Sequence, residues 1–507
     1  MRNLFKPTSY RQGAVLAVGA TALWKILSFA NALLIAAWFG AGSGTDLYFY
    51  ILIALGLGTY FLQRMNVAVV IPEAMNLASI SPRLGQALLN GFLYLYVGLL
   101  AVSVGIALCC PVTLAKYVSR FQPAELAAQQ PLLVWGIILF GLQVLAGYLT
   151  AVLEMYRRFT SALFAPLNAL LPLVCLLLLA GRCGIVSLLY GFVLSNVIQI
   201  IVFVWVLKKE LHWQFAPFLL WHSRVFRHNL LSNQFMELIN IINGLLPLYL
   251  LSGLAAGLVS ALNYAKQFSD SANEVFSLRV TNISKIELTE YAAFSHQHSF
   301  NVSYLHTHRL LCFMLTPLAL FSIYYSPEIV TVFFKRGCFT LQDVQQVSAF
   351  LRPLLGVMLL LVPTLMQNNA VAALRQVKPF MPYALTSMLL FTCCVPATMY
   401  FYGPYAYPYT LLACTGIGLA VNAFFFKYKN SFLSLGQSYK DMIRLLVLNG
   451  IALIPSALYA QYGAGAHVWL TLGVGGLIFL ATLTALYYYS KDLAWFLKLF
   501  RKPQPLP

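Results

Sequence analysis

The chain has 507 residues, of which 60% are hydrophobic and only 9% charged, with a mean hydropathy of +0.78. Soluble domains carry about 25% charged residues, so water could not hold this chain as separate globules and a bilayer is the implied solvent. The 32 Lys and Arg against 14 Asp and Glu give a formal charge of +18, yet no basic run with interleaved aromatics lies outside apolar segments, which argues against nucleic acid as a partner.

A spanning helix needs roughly 20 mostly apolar residues. In chain order, fourteen segments qualify: about 13–38, 47–71, 85–110, 131–154, 159–179, 183–207, 229–251, 255–279, 307–325, 346–370, 380–402, 405–426, 442–461 and 467–489. The first is too long for a cleavable signal peptide and no small-residue cleavage site follows it. With the N-terminus in the cytoplasm, the cytoplasmic connections and tails hold 22 of the 32 basic residues and the opposite side holds 6. That asymmetry favours fourteen spans with both termini cytoplasmic, and makes the charge excess topological.

The outward loops near 111–130 and 326–345 are too short for a domain. The cytoplasmic connections near 208–228 and 280–306 are polar. His296, His298, His306 and His308 have no Cys or carboxylate ligand set beside them and read as solvated loop histidines; no metal is expected. The nine cysteines follow no disulfide or metal spacing and read as small apolar fillers. No Ser/His/Asp set or phosphate-binding glycine loop is present either, so an enzyme is not expected. No cofactor is expected beyond coupling to Na⁺, H⁺ or the membrane potential.

An internal repeat is visible. Tyr156-Arg157-Arg158-Phe159 after the fourth span recurs as Arg375-Gln376-Val377-Lys378 after the tenth, at an offset near 218. Two six-helix lobes, 1–210 and 211–430, followed by a helix pair and tail at 431–507, is the economical reading. Paired repeats around a site are a transporter habit. Ionisable residues within spans are costly and usually face a cavity or a partner. The first span holds Lys25 and Asn31, and the second ends with Gln63 and Arg64. The seventh carries Asn233, Glu237, Asn240 and Asn243 and the eighth Asn263, Lys266, Asp270, Asn273 and Glu274, mostly at three- and four-residue spacing and so on one face. These stripes imply a wet interior, with Glu237, Asp270 and Glu274 as ion-coupling candidates. A Lys266–Asp270 pair acting only as helix glue is the competing reading.

With these residues in view, the chain resembles the MviN/MurJ lipid II flippases of the multidrug/oligosaccharidyl-lipid/polysaccharide (MOP) exporter superfamily. Trp24-Lys25-Ile26-Leu27-Ser28 through Asn31, then Phe39-Gly40-Ala41-Gly42 and Thr45-Asp46, is similar to that family's opening, and Val70-Ile71-Pro72-Glu73 to its second-helix exit. Tyr156 to Pro166, Tyr264-Ala265-Lys266-Gln267, Phe334 to Thr340 and Arg375-Gln376 match further motifs in order along the chain. The resemblance implies an all-α polytopic membrane protein of about fourteen transmembrane helices in the bacterial inner membrane. It also implies alternating-access flipping of a polyprenyl-diphosphate-linked saccharide (a lipid II-like peptidoglycan precursor or a related lipid-linked oligosaccharide) by a monomer.

The implied substrate contacts are Lys25, Asn31, Asp46, Arg64, Lys266 and Gln267. Arg157, Arg158, Arg375 and Lys378 would recruit phosphate at the cytoplasmic face. The family's cavity arginines are here Lys25, Asn31 and Gln267, with a lysine moved to Lys266. Lys attracts phosphate as a point charge without the bidentate fork of Arg. The headgroup therefore stays open. So do two other functions, a scaffold or regulator of envelope biosynthesis and an ion-coupled multidrug-type exporter.

Overall fold

A computed structural model describes residues 10–215, 224–462 and 467–499, and all regular structure among them is helical. Hydrocarbon leaves no water to satisfy backbone N–H and C=O groups, and a helix closes those bonds within one segment. The elements run α1 Tyr10–Phe39, α2 Ser43–Met65, α3 Ile71–Ile80, α4 Pro82–Cys109, α5 Pro111–Val118, α6 Pro123–Ala128, α7 Gln130–Met155, α8 Phe164–Cys183 and α9 Val186–Glu210. They continue as α10 Arg224–Leu251, α11 Leu258–Ala293, α12 Gln297–Tyr324, α13 Ser326–Phe334, α14 Leu341–Ala373, α15 Val377–Tyr402, α16 Ala406–Lys429, α17 Leu435–Tyr462, α18 Val468–Tyr489 and α19 Asp492–Leu499.

Twelve helices among the described residues are long and apolar enough to cross a bilayer. The polar-striped α10 and α11, 28 and 36 residues long, bring the number to the fourteen expected. Asn233 and Glu274 fall on these two helices, but their side chains lie outside the described residues.

Two boundaries differ from the sequence reading. The second span continues through a π-turn at Asn66–Val70 into α3, so Ser43–Ile80 is one rod. Asn66 is held there by the Tyr96 hydroxyl, which donates to its Oδ1 at 2.6 Å. The expected 280–306 loop is mostly helix, with α11 running to Ala293 and α12 starting at Gln297. Residues 281–293 contain no Gly or Pro, so nothing in them stops α11. This moves two of the four histidines. His308 is fully buried in α12, stacked on Tyr304 at 6.4 Å and 3.9 Å from the Cys312 sulfur, and is not a solvated loop residue. His306 lies against the Trp495 ring at 5.1 Å.

The chain divides into two compact units, Met1–Ser260 and Ala261–Pro507. Local geometry bears out the repeat. Left-handed backbone occurs at Gly40 and Gly257, at Arg157 and Arg375, and at Gly184 and Gly403, pairs 217, 218 and 219 residues apart. The arginine pair ends α7 and α14 with the same turn. Arg158 N–H reaches back to Leu153 O and Gln376 N–H to Val371 O, the six-to-one bond of a Schellman cap. A non-glycine residue at positive φ is uncommon, so its recurrence at that offset marks duplicated structure. Packing repeats too: α4 lies on α7 and α8 on α9 in the first unit, as α12 lies on α14 and α15 on α16 in the second.

The terminal pair α17–α18 packs within the second unit against α12 and α13. The Tyr325 hydroxyl lies 2.8 Å from Ser456 O, and Ser456 Oγ donates to Gly475 O at 2.7 Å. Next, α19 is pinned by Asp492, 1% exposed, which accepts from Arg309 at 2.5 Å and Arg444 at 3.0 Å. Both arginines are partly solvated, which screens the attraction. Asp492→Asn is expected to lower stability by about 1–3 kcal/mol and to free α19 for proteolysis. An unchanged melting temperature and cleavage pattern would contradict this latch.

Candidate functional site

The first unit encloses a polar cavity of about 570 Å³ among α1, α2, α7, α8 and α9. Small residues open it: Gly56 on α2, Ala146 and Gly147 on α7, and Ala162 and Ala165 at the start of α8. Carboxamides then line it, namely Gln63, Gln143, Asn168, Asn196 and Gln199. Glu154 is the single charged residue on its wall.

A chain of hydrogen bonds orders this wall. Thr150 Oγ1 donates to Ala146 O at 2.9 Å and accepts from Gln199 Nε2 at 3.2 Å. Asn168 Nδ2 donates to Gln199 Oε1 at 3.4 Å, and Asn196 Nδ2 to Phe192 O at 2.8 Å. Asn168 Oδ1 and Ser161 Oγ are buried and have no hydrogen-bond partner. Such groups cost about 1–3 kcal/mol each when left unmade, which a ligand or water entering the cavity relieves.

Lys25 stands beside this cavity. Its ammonium lies 4.7 Å from the centroid of the Trp24 ring, and Trp24 is part of the lining. Asn31, one and a half turns on, is 8% exposed and ties α1 to α8 by donating from Nδ2 to Ala169 O at 2.8 Å; its Oδ1 has no partner. Arg64 is exposed and turned onto its own helix, with Nε 2.5 Å from the Tyr60 hydroxyl.

Asp46 does different work. It is 2% exposed and accepts from Gly257 N at 2.6 Å, Ser260 N at 2.7 Å and Ser260 Oγ at 2.6 Å, all within the first unit. Asp46 also lies in the first turn of α2. A carboxylate is stabilised there by helix dipoles and unpaired N–H groups. The geometry makes Asp46 a cap.

In the second unit the Lys266 ammonium lies over the Tyr407 ring, 5.4 Å from its centroid. Gln267 is half-buried one residue on, and Asp270 is exposed on the same helix. In α10 of the first unit, Glu237 Oε2 accepts from Asn240 Nδ2 at 3.1 Å.

The cytoplasmic arginine turns differ in burial. Arg158 is 7% exposed, and its Nε and Nη1 have no hydrogen-bond partner. Arg157, Arg375 and Lys378 are exposed.

The carboxamide wall is what sequence reading by charge passes over, since only Glu154 on it is charged. The signal exists nonetheless: Gln143, Gly147, Thr150 and Glu154 recur along α7 at i, i+4, i+7 and i+11, one face of a helix.

Comparison with known proteins agrees with this architecture. A family profile described as lipid II flippase MurJ matches residues 35–473. A probable lipid II flippase MurJ from Borreliella burgdorferi is 21% identical over 353 residues, covering 68% of this chain and 69% of that protein. The fold matches a solved inward closed conformation of lipid II flippase MurJ with a TM-score of 0.76 at 18% identity, covering 95% of this chain and all of that one. It also matches an inward-facing multidrug resistance MATE family transporter of the MOP superfamily, with a TM-score of 0.58 at 12% identity over 83% of this chain and 98% of that one. With fourteen helices, a repeated turn and a profile match over most of its length, the chain belongs to the MurJ lipid II flippase family.

Proposed function

We propose that this protein flips a lipid-linked saccharide across the bacterial inner membrane by alternating access, its two repeats opening in turn to either face, with no chemical step. The family match over residues 35–473 is the observation that carries this reading. Lys25 supplies the positive charge for a phosphate next to a polar cavity, and the buried, unpartnered guanidinium of Arg158 suits phosphate capture at the cytoplasmic turn. Complementation tests the proposal: the gene should restore growth to a bacterium depleted of its own lipid II flippase. Lysis in spite of normal insertion would count against it.

Both termini are placed in the cytoplasm by the charge asymmetry. In a Cys-free background, single cysteines at Ser43, Gln122 and Gln342, all exposed, should react with an impermeant thiol reagent in intact cells. Cysteines at Leu84 and Gln437 should not. The opposite pattern would invert the topology.

Coupling to Na⁺ or H⁺ is assigned to the carboxylates of the polar helices, Glu237, Asp270 and Glu274. Glu237→Gln and Asp270→Asn should each weaken the gradient dependence of transport while leaving insertion intact. Unchanged ion dependence in both would leave the membrane potential as the driving force.

A further inference from the structure

The walls of the first unit's cavity select against most occupants that a membrane offers. An acyl or prenyl chain would strand five carboxamides and a carboxylate without partners, and a phosphate would meet Glu154 and no lining cation. The wall instead combines groups that both donate and accept, and each carboxamide can pair with vicinal hydroxyls or with an acetamido group. Trp24 and Phe192 add apolar faces of the kind that cover the C–H side of a pyranose ring. The volume of about 570 Å³ lies within the roughly 300–1,000 Å³ of small-molecule sites. Asn168 Oδ1 and Ser161 Oγ supply the unmet hydrogen-bonding capacity.

We infer that this cavity is a saccharide subsite that takes a neutral, hydroxyl- and acetamido-bearing sugar of the headgroup, while Lys25 at its edge meets the phosphate joining sugar to lipid. The inference rests on the flippase reading and narrows it. Specificity then comes from neutral hydrogen-bonding side chains within one repeat and less from cations. Asn168 and Gln199 are its central recognition residues, since each already shares a hydrogen bond across helices and presents its remaining capacity to the cavity.

The test uses the full chain in lipid nanodiscs and soluble N,N′-diacetylchitobiose, read by calorimetry and by hydrogen exchange. Millimolar binding is expected, with exchange protection confined to peptides from α7, α8 and α9. Maltose, which lacks acetamido groups, should bind more weakly. Asn168→Leu should weaken chitobiose binding about five- to tenfold, the loss of one or two hydrogen bonds, and Asn168→Leu with Gln199→Leu should weaken it further. The exchange measurement needs no variant, so a misfolded mutant does not shield the inference. No heat and no protection at about 50 mM sugar, well above the expected millimolar Kd, would overturn it. Protection of the same peptides by Na⁺ but not by sugar would also overturn it and make the cavity a cation site. Complementation without sugar binding removes this inference alone. Sugar binding without complementation removes the flippase reading and leaves the subsite.

Discussion

Lys25→Ala is expected to reduce flipping about ten- to a hundredfold, and Lys25→Arg to keep most of it. An ammonium within a span costs roughly 2.5–3.5 kcal/mol on insertion scales, so a position that keeps one has a use for it. Its place beside Trp24, on the edge of a cavity otherwise lined by neutral groups, suits a phosphate carried by the substrate. One charge-assisted contact contributes about 1.5–3 kcal/mol, which sets the expected range. Arg preserves charge and donors and so should substitute. Lys266→Ala should have a smaller effect, because that ammonium already lies over the Tyr407 ring.

A purely structural role for Lys25 makes a different forecast. The Trp24 contact is worth about 0.5–2 kcal/mol, and losing it would lower the melting temperature of Lys25→Ala along with its activity. A substrate role leaves the melt close to wild type while flipping falls. A Lys25→Ala protein with full flipping in reconstituted vesicles would remove the phosphate contact altogether.

Hydropathy and charge made most of the fold legible. Twelve spans stand out by composition alone, and the Arg157/Arg375 offset of 218 residues reappears as one cap geometry in both units. The turn could be found because a cap forces a particular backbone onto a short motif. The extension of α11 to Ala293 and the burial of His308 were not legible in the same way. Polarity places a segment outside hydrocarbon but does not say whether it is coiled, and a histidine's surroundings depend on partners distant in sequence. The cavity was hidden for a related reason. Its wall is built from carboxamides and small residues on five helices, and no single segment carries enough of them to look like a site.

Asp46→Ala is expected to cost about 3–5 kcal/mol of stability and to leave little folded protein in the membrane, with flipping lost as a consequence. The 2% exposed carboxylate satisfies two backbone N–H groups, at Gly257 and Ser260, and the Ser260 hydroxyl. Removing it strands buried donors, each worth about 1–3 kcal/mol, beside a helix N-terminus that also loses its counter-charge. Asp46→Asn keeps one acceptor oxygen but turns an NH₂ toward a donor, so it should fall between wild type and Ala. Ser260→Ala removes only the hydroxyl contact and should cost about 1 kcal/mol, since both backbone bonds to Asp46 remain. Thermal melts of the three purified variants read this order directly. The same order should appear in the amount of protein recovered from membranes, because a lost cap acts before any substrate is met. An Asp46→Ala protein with a wild-type melt and no flipping would break the order. It would return Asp46 from the helix cap to the headgroup site that the family motif implies.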